Sequence, residues 1–251
     1  MTPIPREFEG QHVLVTGVTG GIGRATAELL IERGARVILG GRDRDKLEVA
    51  GAELGAASIA EFDLASSASI DRAMTELFAS CGHLDALINV AGIFPARMVA
   101  DLDDAYIHQM LSINLVGAMR LSQFVSSKMF ARGAGSIVHV SSLAGEKPVP
   151  GLSVYAASKA GLEAFSKALA HEVAPKVRVN IVAPGPTRTE TTLALLAADH
   201  TGAATEASRD IPLGRLGEPE EIAEAAAFMA STRASFITGA VLHVNGGSLM
   251  S

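Results

Sequence analysis

The chain has 251 residues, 48% of them hydrophobic and 19% charged, which is enough apolar material for a full core and argues against disorder. A net charge of -6 argues against a nucleic-acid partner, whose phosphates need a basic surface. No run of about 18 apolar residues is present to span a membrane, and Met1 to Gly10 hold no apolar signal core, so a cytoplasmic location is expected.

Strand-length apolar runs alternate with helical patterns along the chain. The sequence predicts a strand over His12–Thr16, a helix over Gly21–Arg33, a strand over Arg36–Gly40 and a helix over Arg44–Glu53. A strand over Ser58–Phe62, a helix over Ala68–Ser80 and a strand over Ala86–Val90 follow. Leu102–Arg132 reads as one long helical stretch with room for a break near its start. Next come a strand over Ser136–Ser141, a helix over Val154–Val173, a strand over Arg178–Ala183, a helix over Pro219–Ser231 and a last strand over Val241–Val244. Most of the strand runs are continuously apolar, as parallel strands buried on both faces are. The expected fold is α/β: a Rossmann-like, doubly wound parallel sheet of about seven strands with helices on both faces. Residues 1–251 read as one domain. The segment Pro186–Leu213 breaks the rhythm after a strand, where a lid over a ligand would sit.

Thr16-Gly17-Val18-Thr19-Gly20-Gly21-Ile22-Gly23 joins the first strand to the first helix. Gly17, Gly21 and Gly23 permit a tight turn and close approach of a pyrophosphate to the helix N-terminus, with Thr19, Gly20 and Ile22 completing the turn. The second strand ends Leu39-Gly40-Gly41 with Arg42 next. A carboxylate that would bind ribose hydroxyls is missing there, and a guanidinium that would bind a 2′-phosphate is present, so NADP is favoured with NAD as the alternative. Asp43 is the competing candidate for the ribose; its position past the strand favours a helix cap. Asp63, followed by Leu64, is placed to meet the adenine, and Asn89, Ala91 and Gly92 close the fourth strand beside its ribose. Asn89 is also placed to tie neighbouring strand ends together.

Tyr155-Ala156-Ala157-Ser158-Lys159 opens a helix, and positions i and i+4 share a face. A phenol titrates near pH ~10. An ammonium about 4 Å away at a dielectric of ~20 favours phenolate by about 4 kcal/mol, against desolvation. A lowered tyrosine pKa and a general acid/base role are therefore expected. Ser142 is placed to orient a substrate oxygen. Asn114, an amide in an apolar stretch, is placed to anchor a water linked to Lys159. Taken alone, the Tyr/Lys pair is an ordinary amphipathic surface and Asn114 a satisfied core amide. Cys81 and His139 read as core or near-core residues, and the seven histidines show no metal-ligand spacing, so no metal is expected.

Together these motifs, with Asn180-Ile181-Val182-Ala183-Pro184-Gly185 and Thr238-Gly239 through Asn245-Gly246-Gly247, resemble the short-chain dehydrogenase/reductase family over the whole chain. The resemblance implies an oxidoreductase that moves a hydride between a nicotinamide and an alcohol or carbonyl. It implies a catalytic set of Asn114, Ser142, Tyr155 and Lys159, with Tyr155 and Lys159 also touching the cofactor and Lys159 holding the nicotinamide ribose. Pro184, Gly185, Thr187 and Thr189 would line the nicotinamide pocket. A homotetramer built on the Leu102–Arg132 and Val154–Val173 helices is implied as well. Gly20 stands where many NADP-specific relatives carry a basic residue, so Arg42 would act without a second clamp.

The pocket walls are expected from Ile93–Val99, Leu143–Leu152 and Pro186–Leu213. Ile93, Phe94, Met98, Val149, Leu152, Leu193 and Leu196 point to a small alcohol/carbonyl substrate of apolar or mixed character. A 3-oxoacyl thioester is the alternative substrate. Arg97, Arg132, Lys147 and Lys176 are the basic residues available to dock its carrier. A regulatory protein that binds nucleotide without turnover is the competing function, since fold alone does not fix chemistry. It has no use for Tyr155 and Lys159 beside Ser142.

Overall fold

The structure is a computed structural model that describes residues 6–198, 202, 205–206 and 209–250. Seven strands carry it: β1 (His12–Thr16), β2 (Arg36–Gly41), β3 (Ser58–Glu61), β4 (Ala86–Asn89), β5 (Gly135–Val140), β6 (Val177–Pro184) and β7 (Val241–Val244). All pair in parallel, in the order β3-β2-β1-β4-β5-β6-β7. The expected parallel, doubly wound sheet is present.

Its two faces follow from the strand residues. Alternate side chains of a strand point to opposite sides, so Val13 and Val15 enter one core while Leu14 enters the other. The first core is covered by α1 (Gly21–Glu32), α2 (Arg44–Leu54) and α8 (Pro219–Ala230), through Ala27, Leu30, Leu47, Ile222 and Ala226. The second lies under α3 (Ser67–Cys81), α5 (Gly117–Arg132) and α6 (Ser153–Val173), through Ile70, Met74, Leu121, Val125 and Leu169. Apolar strands sandwiched this way leave no polar face, which is why the sequence shows continuous rather than alternating runs. No helix among the described residues is long and apolar enough to cross a membrane.

Most predicted elements match to within a residue or so at each end. The long Leu102–Arg132 stretch is helical as expected, with its start and one internal turn refined. It starts at α4 (Asp104–Leu111), because Asp103 accepts a hydrogen bond from the Tyr106 N–H (2.7 Å) and caps it. A π-helical stretch, Ser112–Val116, then joins it to α5. Such a widened turn rotates the side chains that follow and is common at functional sites. The loop Pro186–Leu213 also holds a helix that the sequence reading lacks, α7 (Glu190–Ala197), capped by Thr189 accepting from the Thr192 N–H (3.2 Å). Residues 199–201, 203–204 and 207–208 of that loop lie outside the described residues.

β1 sits between β2 and β4, so the chain leaves it in opposite directions. A crevice opens at such a switch point, outside the carboxyl ends of the strands. Thr16 and Asn89, paired in register, mark its floor.

Candidate active site

Two connected hollows occupy that edge. The first is a cleft of ≈ 450 Å³ over the ends of β1, β2 and β4. Thirteen of the expected cofactor residues line it: Gly17, Thr19, Gly20, Gly21, Ile22, Gly23, Gly41, Arg42, Asp63, Leu64, Ala91, Gly92 and Thr189. Two glycines are demanded by packing. Gly17 has φ +74, and a Cβ there would stand 2.8 Å from the Ala91 nitrogen. A Cβ on Gly23 would stand 2.2 Å from the Gly17 oxygen. Bare backbone at both positions makes the turn tight enough to bring peptide N–H groups against an anion at the start of α1.

Asn89 is the exception. It is 2% exposed and does not line the cleft. Its Oδ1 accepts from Thr16 Oγ1 (2.7 Å), and its Nδ2 meets His139 Nδ1 (3.3 Å). Thr16 Oγ1 accepts in turn from the Val90 and Ala91 N–H groups (3.1 and 3.0 Å). Asn89 thus ties β1, β4 and β5 beneath the floor, the strand-tying role expected of it. His139, fully buried, is a core residue as expected. Burial and the nearby Lys159 lower its pKa to about 3, so it is neutral.

Arg42 stands exposed at the cleft rim, in no ion pair among the described residues. Asp43 is the N-cap of α2, accepting from the Lys46 N–H (3.2 Å). The capping reading of Asp43 therefore holds. The sequence reading missed Lys46, which lines the rim beside Arg42. Its signal was the spacing: four residues past Arg42, in the first turn of the helix that Asp43 caps.

The second hollow, ≈ 240 Å³, opens from the first between β5, α6 and α7. Ser142, Tyr155, Lys159, Pro184, Gly185, Thr187 and Thr189 all line it. Ser142 lies two residues past the end of β5 and accepts from the Ala144 N–H (3.1 Å), which fixes its hydroxyl at the pocket. Tyr155 and Lys159 share the inner face of the first turns of α6, and Lys159 Nζ lies 5.8 Å from the Tyr155 ring centre. Lys159 is 4% exposed and donates to the Val140 carbonyl (2.9 Å).

The protonation states correct one expectation. The Tyr155 pKa is raised, not lowered, because burial penalises the phenolate more than the Ser142 hydrogen bond favours it. Lys159 sits beneath the ring and is held by Val140, so its charge does not reverse that balance. Burial lowers the Lys159 pKa to about 8, with Glu163 pulling upward.

Asn114 lines neither hollow. Its Oδ1 accepts from the Ile93 N–H (2.8 Å), and its Nδ2 donates to the Ile93 carbonyl (2.7 Å). It clamps the chain that follows β4 from within the π-helical turn, where a side chain can reach sideways. Gly92 separates it from the lysine: a Cβ there would stand 3.2 Å from Asn114 Oδ1 and 3.5 Å from Lys159 Nζ.

The pocket walls are apolar, with Phe94, Leu143, Val149, Leu152, Leu195 and Leu196. Of the expected wall residues, Ile93 turns to the cofactor cleft, while Met98 (47% exposed) and Leu193 (44% exposed) face outward. Leu195, on the inner face of α7, was missed because that helix was not predicted. Among the four basic docking candidates only Lys147 reaches this pocket. Arg97 pairs with Asp103, Arg132 with Asp85, and Lys176 lies over the Phe130 ring.

A family model described as Enoyl-(Acyl carrier protein) reductase matches residues 17–248. The 3-oxoacyl-[acyl-carrier-protein] reductase FabG of Vibrio harveyi is 41% identical, over 97% of this chain and 99% of that protein. A solved structure described as a short chain dehydrogenase/reductase family protein is 42% identical with a TM-score of 0.86, covering 96% of this chain and 98% of that one. The gluconate 5-dehydrogenase of Burkholderia cenocepacia, solved with NADP and tartrate, is 31% identical with a TM-score of 0.90, over 97% of this chain and 96% of that one.

Proposed function

The chain belongs to the short-chain dehydrogenase/reductase family, and from that premise we propose that it reduces the ketone of a 3-oxoacyl thioester carried on an acyl-carrier protein or coenzyme A. It is an NADP(H)-dependent oxidoreductase. The observation that carries the finer reading is the apolar pocket ending at Ser142, Tyr155 and Lys159 with Lys147 among its lining residues. An acyl chain fits such walls, and an ammonium suits the phosphate of a carrier arm. The family model's description names an enoyl reductase, whereas the full-length relatives are 3-oxoacyl reductases. A hydroxyl pair aimed at one point suits a carbonyl oxygen better than a carbon–carbon double bond.

The residues fit the cofactor. The glycine turn before α1 would take the pyrophosphate, Arg42 and Lys46 the 2′-phosphate, and Asp63 would meet the adenine. Lys159 would hold the nicotinamide ribose, and Pro184, Gly185, Thr187 and Thr189 would border the ring. Bound there, NADPH supplies the hydride that adds to the carbonyl carbon. Ser142 donates a hydrogen bond to the carbonyl oxygen and orients it. Tyr155 gives its phenolic proton to that oxygen as the carbon–oxygen double bond becomes an alcohol. Its raised pKa keeps that proton in place at neutral pH, which is the state reduction needs. Lys159, charged below its pKa of about 8, stabilises the tyrosinate that is left until solvent returns the proton. Asn114 acts by holding Ile93 and the wall behind Gly92. We further propose a homotetramer with its contacts on α5 and α6, where Phe130, Phe165 and Leu169 border an open groove.

The test is NADPH oxidation with acetoacetyl thioesters of acyl-carrier protein and coenzyme A, beside a panel of small ketones and sugars. Higher kcat/KM for the thioesters, abolished in Tyr155→Phe, supports the reading. A sugar or free ketone turned over more efficiently than either thioester removes the substrate assignment. Wild-type rates in Tyr155→Phe remove the mechanism.

A further inference from the structure

At the other edge of the sheet, away from the cleft, three metal-ligand side chains meet. His12 is the first residue of β1, and His83 and Asp85 lie in the connection from α3 to β4. One donor atom of each lies within 4.8 Å of the other two. Nothing in the sequence spacing announces this, because β1 and the β4 connection are neighbours only in the sheet.

Three details go beyond proximity. First, His83 Nε2 stands 3.4 Å from Asp85 Oδ2. Two donors of a tetrahedral ion with bonds of about 2.0–2.2 Å are about 3.4 Å apart, so this edge of the polyhedron already has the right length. Second, His12 Nδ1 is buried without a hydrogen-bond partner. Buried polar atoms ordinarily have one. Third, the carboxylate is already oriented. Asp85 Oδ2 accepts from the His12 backbone N–H (2.8 Å) and Oδ1 from Arg132 Nη1 (2.8 Å). Outer partners of this kind fix a ligating carboxylate. The His83 side chain is 44% exposed, which leaves a way in.

We propose that His12, His83 and Asp85 bind a divalent transition metal, zinc foremost, with water in the fourth position. Two imidazoles and one carboxylate suit zinc, cobalt or nickel; magnesium and calcium prefer all-oxygen shells. The Arg132 guanidinium opposes the cation, so the site binds more weakly than a cysteine-rich zinc site. The ion would pin the start of β1 to the connection before β4, on the side of the sheet away from the cofactor. It would act on stability and leave turnover alone.

The test titrates the chelator-treated full chain with Zn²⁺, Co²⁺ and Mg²⁺ by calorimetry, with thermal unfolding in parallel. One equivalent of Zn²⁺, a raised Tm, and with Co²⁺ the intense visible bands of a tetrahedral complex are expected. His83→Ala, at a half-exposed ring, should keep the wild-type circular dichroism and lose at least tenfold in affinity. His171→Ala, on the exposed face of α6, should bind as wild type. Absence of binding at millimolar Zn²⁺, equal binding of Mg²⁺, or unchanged binding in His83→Ala (an adventitious ion only) overturns the site.

Discussion

Glu163 is a buried acid that no step of the reaction uses directly, and removing its charge tests how Lys159 keeps its own. It lies one turn beyond Lys159 on α6, 5% exposed, and its Oε1 accepts from Ser141 Oγ (2.7 Å). Burial lowers the Lys159 pKa to about 8, and the field of Glu163 is the influence that opposes that fall. Glu163 itself is shifted upward by burial, with Glu146 adding to the shift and Ser141, Lys167 and His243 opposing it. Opposite charges about 6–10 Å apart at an effective dielectric of ~20 interact by about 1.7–2.8 kcal/mol, or between one and two pKa units. At the longer separation the change is about one pKa unit. Glu163→Gln keeps the hydrogen bond from Ser141 and removes the charge. The Lys159 ammonium is then lost at lower pH. At pH 8 the charged fraction falls from about a half to about a tenth, roughly a fivefold loss, while at pH 6 both proteins are charged and nearly equal. The assay is kcat/KM for NADPH-dependent thioester reduction across pH 6 to 9. Superimposable profiles, or a loss equal at every pH, would refute the electrostatic role.

Arg42→Ala should raise the KM for NADPH by about tenfold and leave that for NADH unchanged, since a charge-assisted hydrogen bond is worth about 1.5–3 kcal/mol before solvent screening. The double variant with Lys46→Ala should lose more, and parallel kinetics with both cofactors would show equal effects if neither residue reads the phosphate. Gly23→Ala places a methyl 2.2 Å from the Gly17 oxygen, and should abolish NADPH binding in calorimetry at a cost of about 1–3 kcal/mol in overpacking; retained affinity would mean that the turn does not hold the cofactor. His139 titrates near 3 folded and 6.5 unfolded, so its stabilising effect is complete above pH 6.5 and is lost as pH falls towards 3. At pH 5 the loss is about 2 kcal/mol, and the Tm drop between pH 7 and pH 5 should shrink in His139→Gln; an unchanged drop would place the acid sensitivity elsewhere.

How far the sequence carried depended on whether a signal was local. The strands were legible because each apolar run is buried on both faces, as Val13, Leu14 and Val15 are. The glycine turn was legible because its constraint is steric and lies within seven residues. Helix α7 was not, since Thr191-Thr192-Leu193-Ala194-Leu195 carries no clear amphipathic period and is capped by a threonine that reads equally well as loop. Asn89 and Asn114 were seen as polar residues in need of partners, but which partner depends on neighbouring strands and on a π-helical turn that no spacing rule reports. The Tyr155 pKa went the other way because sequence gives the spacing of the two charges and not the depth at which they lie.

That depth sets the protonation state from which each direction of the chemistry starts. A tyrosine activated by an adjacent ammonium in a wet cleft would rest partly as phenolate, ready to take a proton from an alcohol. Here burial acts on both members of the pair in the same sense, against charge: the phenol is pushed up and the ammonium down to about 8. The resting state near neutrality is therefore neutral Tyr155 over charged Lys159, one proton loaded for delivery and one positive charge waiting for the anion that delivery creates. Oxidation must first remove that proton, at a pH where Lys159 begins to discharge. The apolar walls around Phe94, Leu152 and Leu196 bear on both points: on the proposed function they would receive the acyl chain, and by excluding water they hold the proton on the acid that reduction consumes.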